Sequence, residues 1–234
     1  MQTQLPSIST KLYKEDIYKI LRDNYSELGS HWTNYQLEWM NGIFESFNDH
    51  EKFLIIIYLI KKTLDFYSIT SNKFTYDEFY SKNSLEIEKF NISEISANLN
   101  IPKESARRKI LELEKKYVII RKKKKIIIDR SSFPKVRPQN SIKRISRYLS
   151  LLSNYVKGEK LMKEKLSSEE IEITINNNFT FAWKLYYDFQ IPMLLGYKKI
   201  FGDLESFHIF GTCSVNQHLH QKRDLIEREL ILGR

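Results

Sequence analysis

The chain has 234 residues, 41% hydrophobic and 29% charged, enough to bury a core in one or two globular domains. Its 38 Lys and Arg outnumber its 29 Asp and Glu, and its single cysteine, Cys213, excludes both an intramolecular disulfide and a CxxC-type metal site. The longest apolar run, Phe53 to Ile60, is far short of the ~20 residues a bilayer span needs, and no glycine between Gly42 and Gly158 is available for a nucleotide-binding loop.

A reducing, cytoplasmic setting without membrane or cofactor follows as the expectation, and the polar stretch Met1 to Thr10 lacks the basic-then-apolar layout of an export signal. No HExxH, GxSxG or carboxylate-pair pattern points to an enzyme. The charge is uneven. Residues 101–148 hold 17 basic and 4 acidic side chains, whereas residues 1–100 hold 10 and 14, and residues 149–234 hold 11 of each. Such a local cationic field favours a polyanion, and nucleic acid is the usual one inside a cell.

In chain order, residues 1–90 form an amino-terminal helical region. Thr33 and Gln36 have the spacing of a capping box, and Leu37, Met40, Phe44 and Phe47 follow at helical intervals. His50 to Phe66 is apolar on all sides, so Phe53 to Ile60 is expected at the centre of a buried helix. A third helix is expected over Tyr76 to Lys89.

Asn91 and Glu94 again have capping-box spacing and open a short helix, Ser93 to Asn98, with Ile92, Ile95 and Leu99 on one face. Asn100 tolerates the left-handed backbone of a tight turn, and Pro102 suits the start of the next helix. That helix covers Lys103 to Lys116. Ala106, Ile110 and Leu113 face inward, and Lys103, Ser105, Arg107, Arg108, Lys109 and Glu112 face outward. Two β-branched runs, Tyr117 to Arg121 and Ile126 to Arg130, then flank Lys122, Lys123, Lys124 and Lys125, a cationic hairpin expected to need a longer or distorted loop.

The stretch ISEISANLNIPKESARRKILELEKKYVIIRKKKKIIID, about residues 91–130, resembles the winged helix-turn-helix superfamily of DNA-binding modules, with MarR-like and Crp-like members equally close. Three positions depart from the pattern: Ser96 stands for a small Ala, Asn100 for the turn Gly, and Tyr117 for the Gly that often ends the recognition helix. The resemblance implies a mainly α fold, a helical bundle with a central winged helix-turn-helix and a small two-stranded wing. It also implies a recognition helix whose Lys103, Ser105, Arg107, Arg108 and Lys109 approach base edges, and a wing whose Arg121 and Lys122 to Lys125 bind phosphates. The expected partner is double-stranded DNA, bound by a homodimer acting as a transcriptional regulator. Readings from neighbouring classes are a plasmid- or phage-type replication initiator on direct repeats, a winged-helix adaptor for protein contacts, and an RNA-binding protein.

Residues 131–140 carry Pro134 and Pro138 and read as a linker. The remainder, residues 141–234, forms a carboxyl-terminal helical region. Its first helix presents Ile142, Ile145, Leu149, Leu152 and Val156 at coiled-coil spacing, a candidate dimer seam as well as a candidate packing face, and Lys143, Arg144 and Arg147 offer secondary phosphate contacts. Leu161 to Asn178 reads as loop-rich. Phe179 to Phe210 holds ten aromatics, suited to core, to a small-molecule effector pocket or to base stacking, with Pro192 expected to break or kink the helix. His208, Cys213, His218 and His220 have metal-capable side chains but no zinc spacing, so no metal is expected. A charged amphipathic helix is expected over Gln221 to Leu232.

Overall fold

Asp49 starts a long apolar helix: its carboxylate accepts the Lys52 amide at 2.9 Å, and α3 runs from there, His50–Ile69. Leu54, Ile55, Ile56 and Ile57 are buried in succession around the helix circumference, so α3 has no solvent stripe over these turns and other elements cover it on every side. The computed structural model describes residues 12–70, 73–82, 84–87, 91–122, 125–129 and 137–217. Within them the protein is mainly helical, with one small three-stranded antiparallel sheet.

Before α3 come α1 (Lys14–Asp23) and α2 (Tyr25–Phe47), separated at Asn24. The Thr33 capping box is not formed. Helix α2 starts eight residues earlier, and the Thr33 hydroxyl donates to the Gly29 carbonyl at 2.9 Å, an ordinary mid-helix contact. Asn48 closes α2 in the left-handed conformation.

After α3, the helix expected over Tyr76 to Lys89 divides into α4 (Tyr76–Ser81), opened by a Thr75–Glu78 capping box, and β1 (Ser84–Ile87). Leu85 and Ile87 alternate inward, and β1 pairs with β3, so the sheet has three strands, ordered β1-β3-β2, instead of two. Next follow α5 (Ile92–Leu99), α6 (Lys103–Lys115), β2 (Ile119–Lys122) and β3 (Lys125–Asp129). Helix α3 contacts β1, α5 and α6, so the basic segment is built on the same core as the helices before it.

Helix α7 (Gln139–Gly158) packs on α2 and α8. The loop-rich expectation for residues 161–178 fails in part: Ser167 and Glu170 form a reciprocal capping box and start α8 (Ser168–Asn177). Helix α9 (Phe179–Phe201) then passes through Pro192 without interruption and lies along α3. A last helix, α10, covers residues 204–217. The helix expected over Gln221 to Leu232 lies outside the described residues.

Buried polar pairs fix how α9 meets α2. The Gln36 and Gln190 amides exchange hydrogen bonds of 2.7 and 3.3 Å, and the Tyr35 and Tyr186 hydroxyls lie 2.6 Å apart. Desolvation raises both phenols well above their ordinary range, so the pair is neutral.

Candidate nucleic-acid interface

Two short helices joined by a left-handed turn carry the exposed cations Lys103, Arg107 and Arg108. The Asn91 side chain caps α5 by accepting the Ser93 amide at 2.8 Å. Glu94 does not complete the capping box; it accepts instead from Lys62 at 2.7 Å and from the Tyr58 hydroxyl at 2.9 Å, which ties α5 to α3. Asn100 adopts φ 50 and ψ 47, the left-handed turn expected of it. Ser96, the departure from a small Ala, earns its place here: its hydroxyl donates to the Ile101 carbonyl at 2.7 Å and bridges the turn.

Pro102 precedes α6 in extended conformation, and its carbonyl accepts the Ala106 amide. Ala106, Ile110 and Leu113 are buried, as their spacing predicts. Lys103, Arg107 and Arg108 are exposed and Ser105 is half-buried. Arg107 pairs with Glu104 one turn earlier at 2.8 Å, and Arg108 lies 4.0 Å from Glu112; both pairs are solvent-exposed, so a phosphate or base edge competes for either guanidinium at small cost.

Lys109 differs from the expectation. Its side chain is only 13% exposed and turns toward the start of α3, with Asp49 Oδ2 at 2.5 Å and Glu51 Oε2 at 3.4 Å. Spacing places it on the rim of the apolar face, and the carboxylates at the α3 amino terminus draw the ammonium inward. It is an internal ion-pair residue and leaves the list of outward cations.

Helix α6 ends at Tyr117, φ 56, where the Val118 amide reaches the Leu113 carbonyl and the Tyr117 amide reaches Glu114. These are the two bonds of a Schellman cap, made here without the usual glycine. Strand β2 continues from it, and Arg121 returns to Glu114 of α6 at 2.5 Å. Lys122 is exposed, and Lys125 pairs with Glu86 of β1 at 2.7 Å. The register pairs Lys122 with Lys125, so only residues 123 and 124 connect the paired positions, fewer than the loop expected. Lys123 and Lys124 lie outside the described residues.

On α7, Lys143 and Arg147 are exposed, and Arg144 pairs with Glu38 of α2 at 2.7 Å. The candidate seam is largely consumed within the chain: Ile142 and Ile145 belong to the main core, Val156 packs with Ile20 and Leu28 beside a half-buried Leu152, and Leu149 alone is exposed.

The aromatic segment is chiefly core, with Phe179, Trp183, Tyr186, Tyr187 and Phe207 buried and Phe181, Phe189 and Phe210 exposed. A cleft of about 520 Å³ lies beside α9 rather than among its buried rings, edged by Tyr58, Lys62, Glu94, Asn98, Asp188 and Pro192. Its charged groups answer one another: Lys61 bridges Asp65 and Asp188 at 2.7 and 2.9 Å, and Lys184 holds Asp188 at 2.6 Å. No cluster of metal-capable side chains occurs among the described residues; His208 bonds Asn41 at 2.7 Å, Cys213 is exposed, and His218 and His220 lie outside the description. No described helix is long and apolar enough to cross a membrane.

Sequence reasoning missed Asp49, Glu51 and Lys52, which bind α6 to α3, and Lys198, which reaches the turn from α9. Asp49 to Lys52 have the local pattern of an ordinary charged first helical turn and Lys198 that of a basic last turn; their partners, about 60 to 150 positions away, leave no local signal. No family model matches this chain, and no curated protein or solved structure matches it either.

Proposed function

We propose that the protein binds double-stranded DNA as a winged helix-turn-helix module, with α6 in the major groove and the β2–β3 hairpin on the adjacent backbone, and that it acts as a transcriptional regulator paired as a homodimer. The observation that carries this reading is the division of α6. Its buried face is narrow and apolar, its opposite face shows Lys103, Arg107 and Arg108 beside the Asn100 turn, and Lys122 extends the same positive charge along the strand tied to α6 through Arg121. Arginine suits bidentate contact to guanine and also phosphate, and lysine suits phosphate alone as a point charge.

Affinity in this reading comes mainly from phosphate contacts, so log K falls linearly with log salt; four to six neutralised phosphates give a slope of roughly −4 to −5. The test is retention and sequencing of fragmented genomic DNA by the purified protein at physiological salt. An inverted repeat beside promoters supports a dimeric regulator. Tandem direct repeats at one locus replace the regulator with a replication initiator, and no retention of duplex removes the proposal.

A further inference from the structure

We infer that Lys198 of α9 is a positioning residue for α6, acting through an alternating chain of largely shielded lysines and partly exposed carboxylates that sets the rotation of that helix and holds the turn before it; the consequence for DNA rests on the reading above, the coupling itself does not.

The chain can be followed atom by atom. Lys198 Nζ donates to the Asn100 carbonyl at 2.8 Å and to Glu51 Oε1 at 2.5 Å. Glu51 Oε2 lies 3.4 Å from Lys109 Nζ, and Lys109 lies 2.5 Å from Asp49 Oδ2. Asp49 is 3.9 Å from Lys52, whose ammonium reaches Glu112 at 2.5 Å. Two of these groups, Lys109 and Glu112, belong to α6 and lie three positions apart on one face; three belong to the N-cap and first turn of α3; and Lys198 alone comes from α9. Three cations balance three carboxylates. The lysine side chains are only 11 to 13% exposed, so none of them is a solvated surface charge.

Apolar contacts through Ala106, Ile110 and Leu113 hold α6 to the core but are non-directional and permit small rotations. Charge-assisted hydrogen bonds are directional, and a mostly buried ion left without its partner is costly. The alternating chain therefore selects one rotation. A helix rotation decides which of Lys103, Arg107 and Arg108 meets a base edge, and that is a matter of specificity more than of phosphate affinity. Lys198 also places a cation at the carboxyl end of α5, where the helix dipole favours it, and grips the residue whose left-handed backbone sets the angle between α5 and α6.

The experiment compares the full chain with Lys198→Met and Lys198→Arg by amide hydrogen exchange and by titration with two duplexes of equal length, one carrying the sequence enriched from genomic DNA and one of random sequence. The expected result for Lys198→Met is faster exchange over residues 100–110 with no change in α2 or α7. The preference for the enriched duplex falls about tenfold, the size of one lost base-pair contact, at an unchanged salt slope, and Lys198→Arg restores both. Where Lys198→Met does not fold, Lys198→Gln keeps a donor for the Asn100 carbonyl and carries the same comparison. Unchanged exchange over residues 100–110 overturns the inference, as does an equal loss on both duplexes. If the unaltered protein binds neither duplex, the DNA reading fails, while the exchange data still decide the coupling.

Discussion

His50 Nδ1 lies 3.0 Å from Glu205 Oε1, so the first residue of α3 is tied to α10, 155 positions later, through a half-exposed carboxylate and a buried imidazole. Against the opposing effect of burial, the His50 hydrogen bond pulls the Glu205 carboxyl down to about 2 from its ordinary 4.5. The folded value is the depressed one, so the contribution is fully present above pH 4.5 and is lost as pH falls toward 2. The melting temperature of the protein should drop across that window, and Glu205→Gln should lower it at neutral pH while flattening the acid limb. Parallel curves for the two proteins would remove Glu205 as the cause.

His208, whose ring meets that of His50 edge-on at 5.2 Å, titrates in a neighbouring window. Burial, and then the charge of His50, lower its affinity for a proton, with Glu205 acting in the opposite sense. The fold favours its neutral form, so its contribution stands above about pH 6.5 and declines below it. His208→Gln should abolish the part of the pH dependence that sets in below about pH 6.5, as read by denaturant midpoints measured down from neutral pH.

Arg107→Ala and Arg108→Ala should each cost about 1 to 3 kcal/mol of DNA affinity and relax sequence preference, whereas Lys122→Ala should weaken all duplexes alike and reduce the salt slope by about 1. Lys109→Met should leave the slope untouched, because Asp49 and Glu51 already occupy its ammonium, and should appear instead as lower thermal stability. Salt titrations of the four variants separate these outcomes; a reduced slope for Lys109→Met would return that residue to the binding surface.

At Asn100, φ is 50, and the left-handed conformation costs an ordinary L-residue about 1 kcal/mol or more. Asn100→Ala should destabilise by about that amount, and Asn100→Gly should be neutral or slightly stabilising, since both keep the carbonyl that Lys198 grips. Urea unfolding of both variants checks the difference in sign.

Ile142 is fully buried against the chain's own core. Truncation to alanine should cost about 3 kcal/mol through lost burial and a residual cavity, with a melting temperature independent of protein concentration. If instead the loss disappears at high concentration, Ile142 lies in an interface between copies.

Where a feature depends on neighbours three or four residues away, the sequence alone determined it. The spacing of Ala106, Ile110 and Leu113 names the buried face of α6, the apolar run from Phe53 to Ile60 names the central helix, and Asn100 names a left-handed turn. Each rests on helical periodicity or on backbone sterics, which act locally. Tertiary structure decided the rest, in places against local signals and in places between alternatives they left open. Ser84 to Ile87 became a strand because β3 offers an antiparallel edge; Pro192 stayed within α9, and Ile142 turned inward because α7 packs on α2. Lys109 reads as an outward lysine and Lys198 gives no local signal until α3 is folded beside them, and only then do Asp49 and Glu51 stand within hydrogen-bond reach. Charge pairing across the fold is set by distance in space, and distance along the chain carries almost none of it.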